Sequence, residues 1–107
     1  MGFFQFLKRP DINRGVEEFR ATPGALLLDV RTPEEFREGR IPGSRNLPLQ
    51  ELERAPEVIE HEDVPVFLYC RSGNRSATAE RILRGMGYAA VIDLGGILSY
   101  RGERERS

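Results

Sequence analysis

The residue best suited to covalent chemistry is Cys70, the single cysteine of the 107-residue chain. It opens the segment Cys70-Arg71-Ser72-Gly73-Asn74-Arg75-Ser76, which lies between an apolar run ending at Tyr69 and a helical pattern beginning near Ser76. Gly73 is free to take positive φ and Asn74 tolerates it, so consecutive backbone N–H groups can turn inward as an anion-binding nest. The helix that follows adds its positive end, and Arg71 and Arg75 add formal charge. A strand-terminal thiol in that setting is predicted to be a nucleophile that needs no histidine base. With no second cysteine, an internal disulfide, a multi-cysteine zinc site and a resolving thiol in the same chain are all excluded, so an outside molecule must restore Cys70 after each turnover.

Other candidates for chemistry are weaker. The one histidine, His61, stands in Glu60-His61-Glu62-Asp63 and reads as a solvated loop residue. No metal and no cofactor are expected. A net charge of −1, with 31% charged and 39% hydrophobic residues, lacks the basic excess that nucleic-acid backbones demand. No apolar run approaches the ~20 residues of a membrane helix, and Gly2 to Leu7 lack the charge and length of a signal peptide. Phe6 stands where a myristoylation pattern wants Ser or Thr. These features predict a cytoplasmic protein without membrane or nucleic-acid partners.

The elements that must position Cys70 follow from pattern. Residues 1–10 form an apolar arm, with Phe3, Phe4, Phe6 and Leu7 packed on the protein's own domain; residues 11–101 form one domain; residues 102–107 form a charged tail, with the chain from Arg101 onward expected to fray. Asn13 is placed as the cap of a helix carrying Val16 and Phe19, ended by Pro23-Gly24. The continuous apolar run from Ala25 to Val30 reads as a strand buried on both faces. Thr32-Pro33-Glu34-Glu35 is a capping box with proline at the first helical position, a helix start that Gly39 stops. A turn at Ile41-Pro42-Gly43 leads through Asn46 to a short helix around Leu49 and Leu52. Val64 to Tyr69 is a second strand, Ala77 to Met86 a helix offering Ala79, Ile82, Leu83 and Met86 to the core, and Ala89 to Leu94 a third strand. The alternation predicts an α/β domain with a mostly parallel central sheet, helices on both faces, and a ligand site beyond the carboxyl ends of the strands.

Four segments together resemble the rhodanese-like sulfurtransferases, specifically their small single-domain members. They are Leu28-Asp29-Val30-Arg31 with Pro33-Glu34-Glu35-Phe36; Gly39-Arg40-Ile41-Pro42-Gly43-Ser44 with Asn46 and Pro48; the loop from Tyr69 to Ser76; and Gly95-Gly96-Ile97. Arg40 stands where the family often has histidine, and Tyr100 where it often has tryptophan. The resemblance implies a rhodanese-like fold and a two-step displacement. Cys70 takes sulfane sulfur from thiosulfate or a persulfide donor, and a thiol or cyanide then collects it. Residues 71 to 76 would cradle the persulfide, with Arg71 and Arg75 attracting an anionic donor. Asp29 and Arg31 are read as structural support, since an activated thiol needs no general base. Two rivals stand beside this reading: a sulfur-relay module loaded by a partner protein, and a cysteine phosphatase or arsenate reductase of the same fold. The latter enzymes place five residues between cysteine and arginine, whereas four separate Cys70 from Arg75.

Overall fold

The computed structural model describes residues 11–107. The apolar arm proposed for residues 1–10 therefore lies outside the described residues. Helix α1 spans Ile12–Ala21, and its cap is Asp11, whose carboxylate accepts from the N–H groups of Asn13 and Arg14. Asn13, expected as the cap, instead donates to the Ser99 carbonyl and accepts from the Arg101 N–H, which ties α1 to the C-terminal segment.

Strand β1 (Leu26–Asp29) leads into α2 (Pro33–Glu38), which begins with the expected capping box: Thr32 Oγ1 accepts from Glu35 N–H and Glu35 Oε1 accepts from Thr32 N–H. A two-residue strand β2 (Arg45–Asn46) and a kinked 3-10 helix (Leu49–Glu57) follow. Then come β3 (Val66–Cys70), α3 (Asn74–Gly85), β4 (Val91–Gly96) and a short 3-10 turn (Ile97–Ser99).

The sheet has the order β2-β1-β3-β4, and every pair is parallel. Each parallel crossover carries a helix, α2 between β1 and β2, the long 3-10 helix between β2 and β3, and α3 between β3 and β4. Alternating side chains of β3 feed two cores. Val66, Leu68 and Cys70 join the cluster under α3 and the long 3-10 helix, while Phe67 and Tyr69 join Ile12, Val16 and Ile97 beneath α1. The sheet is therefore covered on both faces, which is why its strands read as continuous apolar runs.

Two expectations for the periphery change. On α3, Ser76, Ala79 and Leu83 form the buried line, while Ile82 and Met86 are half exposed. Ile82 lies about a quarter turn off that line. Met86 follows the last helical residue, and Gly87, at φ +108°, turns the chain so that Tyr88 takes the core position instead. The segment from Arg101 is not frayed. Arg40 and Glu105 exchange N–H···O bonds of 2.8 and 2.9 Å in an antiparallel bridge, Ser107 N–H donates to the Arg37 carbonyl, and Arg104 donates to the Ile97 carbonyl.

At the end of β1, the fully buried Asp29 holds Arg31 through its main-chain N–H and through Nε and Nη2. Burial disfavours the guanidinium charge, but the hydrogen bonds and charge of Asp29 outweigh it and hold Arg31 above its ordinary range. Removing one member of such a pair leaves the other buried and uncompensated. Asp29→Asn is expected to cost about 3 kcal/mol, read as a lowered midpoint in urea unfolding.

Candidate active site

The loop after β3 is built by constraint on three sides. Cys70 is the last residue of the strand, 1% exposed, and its Sγ accepts from the Gly73 N–H at 3.0 Å. Gly73, at φ +112°, caps α3 in the left-handed region that glycine tolerates. A helix begins with four N–H groups that have no intrahelical acceptor, and here they belong to Gly73, Asn74, Arg75 and Ser76. The sulfur takes the first of them. Ser76, fully buried, lies with Oγ 3.4 Å from Sγ, 3.2 Å from the Gly73 carbonyl and 3.4 Å from the Gly95 carbonyl.

Gly96 fixes the loop from behind. A Cβ on it would lie 2.3 Å from the Arg71 carbonyl oxygen and 2.6 Å from the Ser72 Cα, so only glycine permits the loop to rest against β4. Leu98 N–H donates to that same Arg71 carbonyl at 3.2 Å. Gly95, at φ +92°, makes the turn that brings the strand end there.

The arginines of the loop have different fates. The Arg71 side chain is exposed and has no side-chain partner among the described residues. Arg75 is held by Glu35 in a bidentate pair, Nη1 to Oε1 at 2.8 Å and Nη2 to Oε2 at 3.0 Å. In the sequence Glu35 reads as the capping-box residue of α2 and as part of the first resembling segment; in the fold its carboxylate also clamps α2 to the first turn of α3. The Arg75 hydrogen bond, above all other causes, lowers the Glu35 carboxyl to about 2. Ser72 and Asn74 are exposed on the loop, with the Asn74 carbonyl accepting from Thr78 Oγ1.

Asp29 ends the neighbouring strand β1, paired with Tyr69, and Arg31 follows two residues later. Arg31 Nη2 also donates to the Gly39 carbonyl, and Asn46 Nδ2 donates to the carbonyls of both Asp29 and Arg31. Their links run to neighbouring backbone. Next to them Tyr69 accepts from Ile41 N–H and donates to Ser44 Oγ; burial, then the charge of Asp29, pushes its phenol well above the ordinary value, so it serves as a neutral bridge. Arg40 stacks 4.7 Å from the Phe36 ring and bonds Ser107. Tyr100 lies over Gly102 and packs on the core beneath α1. His61 is exposed, as its polar neighbours suggested.

A family model described as a rhodanese-like domain matches residues 14–103. The chain belongs to that family. Its rhodanese-like relatives include an uncharacterised protein, YqhL, of Bacillus subtilis, 44% identical over 81 residues that make up 75% of this chain and 64% of the relative. The chain thus spans slightly under two thirds of that relative's length. A protein named sulfurtransferase from Allochromatium vinosum is 41% identical over 74% of each chain. Among solved rhodanese structures, one described as a rhodanese with anions from E. coli has 31% identity and a TM-score of 0.73, and the match covers 78% of this chain and 99% of that one.

Two outcomes follow from the loop's packing. Gly96→Ala is expected to destabilise by about 1–3 kcal/mol in urea unfolding, because the added carbon meets backbone rather than a movable side chain. For Glu35, a lowered folded-state value means stability that is present above the unfolded value of 4.5 and lost as pH falls toward about 2. The stability gap between the native chain and Arg75→Gln, measured by urea unfolding, should therefore be constant above about pH 5 and shrink steadily below it.

Proposed function

We propose that the protein is a sulfurtransferase that carries sulfane sulfur as a persulfide on Cys70. The observation that supports this most directly is the placement of Sγ at the base of a helix-capping loop. It already accepts one amide N–H there, and the next three amides of the helix have no intrahelical acceptor. A nucleophile so placed faces donors fixed in position before any charge arrives, which is the arrangement that stabilises an anion without reorganisation.

The chemistry divides into two displacements. The Cys70 thiolate attacks the outer sulfur of thiosulfate; the sulfur–sulfur bond of the donor breaks, its electron pair leaves with sulfite, and the enzyme carries Cys–S–S⁻. An acceptor thiolate or cyanide then attacks the outer sulfur, and the cysteine thiolate departs as the leaving group. The persulfide is itself an anion. The amides of Gly73, Asn74, Arg75 and Ser76 are the groups that would hold it, with exposed Arg71 drawing anionic donors to the mouth. Asp29 and Arg31 hold the end of the neighbouring strand and take no part in bond making.

Relatives named as thiosulfate sulfurtransferases support the choice of donor. One from Escherichia coli, PspE, is 37% identical over 71 residues, 65% of this chain and 68% of that one. Four residues between Cys70 and Arg75, with Arg75 turned to Glu35, favour a cup sized for sulfur over one shaped for a phosphate. No helix of the described residues is long and apolar enough to cross a membrane.

Intact mass after brief incubation with thiosulfate tests the reading. The chain is expected to gain one sulfur atom, reversed by cyanide or a reducing thiol, while Cys70→Ser gains none. A chain that gains no sulfur yet is alkylated rapidly at Cys70 would instead support loading by a partner protein. Hydrolysis of an aryl phosphate would speak for the phosphatase reading.

A further inference from the structure

The sheet order places β1 and β3 side by side while the chain leaves them in opposite directions, toward β2 and β4. The crevice above such a reversal is where α/β sheets bind ligands. The helices that begin on its two sides are α2 and α3, and the Glu35–Arg75 pair joins their first turns across it. Arg75 directly precedes Ser76, whose hydroxyl touches Sγ, and it lies close enough to Cys70 for the sulfur's charge to bear on the guanidinium.

Both members are partly sheltered, with side-chain exposures of 25% for Glu35 and 32% for Arg75. The carboxylate is anchored a second time by the Thr32 N–H and hydroxyl, so it does not depend on Arg75 for its position. The guanidinium is engaged through both terminal nitrogens. Arg75 therefore brings no net charge to the crevice, whereas Arg71 does.

We propose that Glu35 is a specificity-determining residue: by holding and neutralising Arg75, it lowers the preference of the site for doubly charged sulfur donors over singly charged ones. This rests on the sulfur-transfer reading above. Thiosulfate carries two negative charges and methanethiosulfonate one, and both deliver the same sulfur, with sulfite or methanesulfinate taking the electron pair of the broken sulfur–sulfur bond. Adding one positive charge near the mouth favours the dianion about twice as strongly as the monoanion in interaction energy, while leaving the bond chemistry unchanged.

The test is kcat/KM for persulfide formation from each donor, in the native chain, in Glu35→Gln and in Glu35→Gln/Arg75→Gln. Glutamine keeps the side-chain oxygen that the Thr32 N–H needs, so the cap of α2 is retained. Glu35→Gln is expected to raise the thiosulfate-to-methanethiosulfonate ratio by roughly three- to tenfold at low salt. The gain should shrink as ionic strength rises. The double variant, which frees no cation, should return to the native ratio. An unchanged ratio, or an equal loss with both donors as a purely structural Glu35 would give, overturns the proposal; so does a gain that survives in the double variant. A native chain that takes sulfur from neither donor defeats the sulfur-transfer reading, and this inference with it.

Discussion

Asp29 is a carboxylate with no exposure at the end of a central strand, and the chain around it is arranged to satisfy it. Such a group is tolerable in a protein interior only when its oxygens are filled, and Arg31 fills them with its main-chain and side-chain N–H groups. The consequences spread outward. Arg31 reaches the Gly39 carbonyl, Asn46 spans the carbonyls of Asp29 and Arg31, and the Leu47 N–H donates to Asp29 as well. The ion pair thus holds the Gly39 stretch, and the backbone carbonyls on either side of it hold Asn46 and Leu47, at the carboxyl end of the sheet. Well-packed apolar residues could supply comparable stability. They would not supply the directed bond to the Gly39 backbone.

At the end of the adjacent strand the cysteine loop is held by contacts of a different kind. Gly96 lets β4 approach the Arg71 carbonyl more closely than any side chain allows, and the Gly73 turn aims the first amide of α3 at the sulfur. Glu35 then joins the two helix starts. None of these three requires the others chemically, yet all act on the same seven residues. The thiol, buried among apolar neighbours, is left with polar partners from its own loop.

Much of this was legible in the sequence because local chemistry and tertiary placement agree. Thr32, Pro33 and Glu35 spell a helix start whatever surrounds them, and the apolar runs before Asp29 and Cys70 fit a sheet covered on both sides. What was not legible depends on partners distant along the chain. Arg45-Asn46 has no strand pattern and becomes β2 by pairing with Leu28 and Asp29. Asn13 is as good a cap as Asp11 by composition, but Ser99 and Arg101 claim its amide. The charged tail looks solvated until Arg40 supplies a backbone partner. Glu35 was fully explained by its capping box, so nothing local hinted at Arg75, forty residues further on.

Ser76 adds a property of response rather than of position. Its hydroxyl has one hydrogen and three acceptors in reach, the sulfur and the carbonyls of Gly73 and Gly95. When the sulfur bears a hydrogen, that hydrogen can rest on the serine oxygen while the serine's own bonds a carbonyl. When the sulfur bears a charge, rotation about a single C–O bond redirects the serine hydrogen toward it, and no heavy atom moves. A dry cavity is usually stiff in the dielectric sense, able to stabilise one charge state at the expense of the other. Here a single rotor gives a buried sulfur a small, fast polarisation of its own, as a bound water would, without opening the site to solvent.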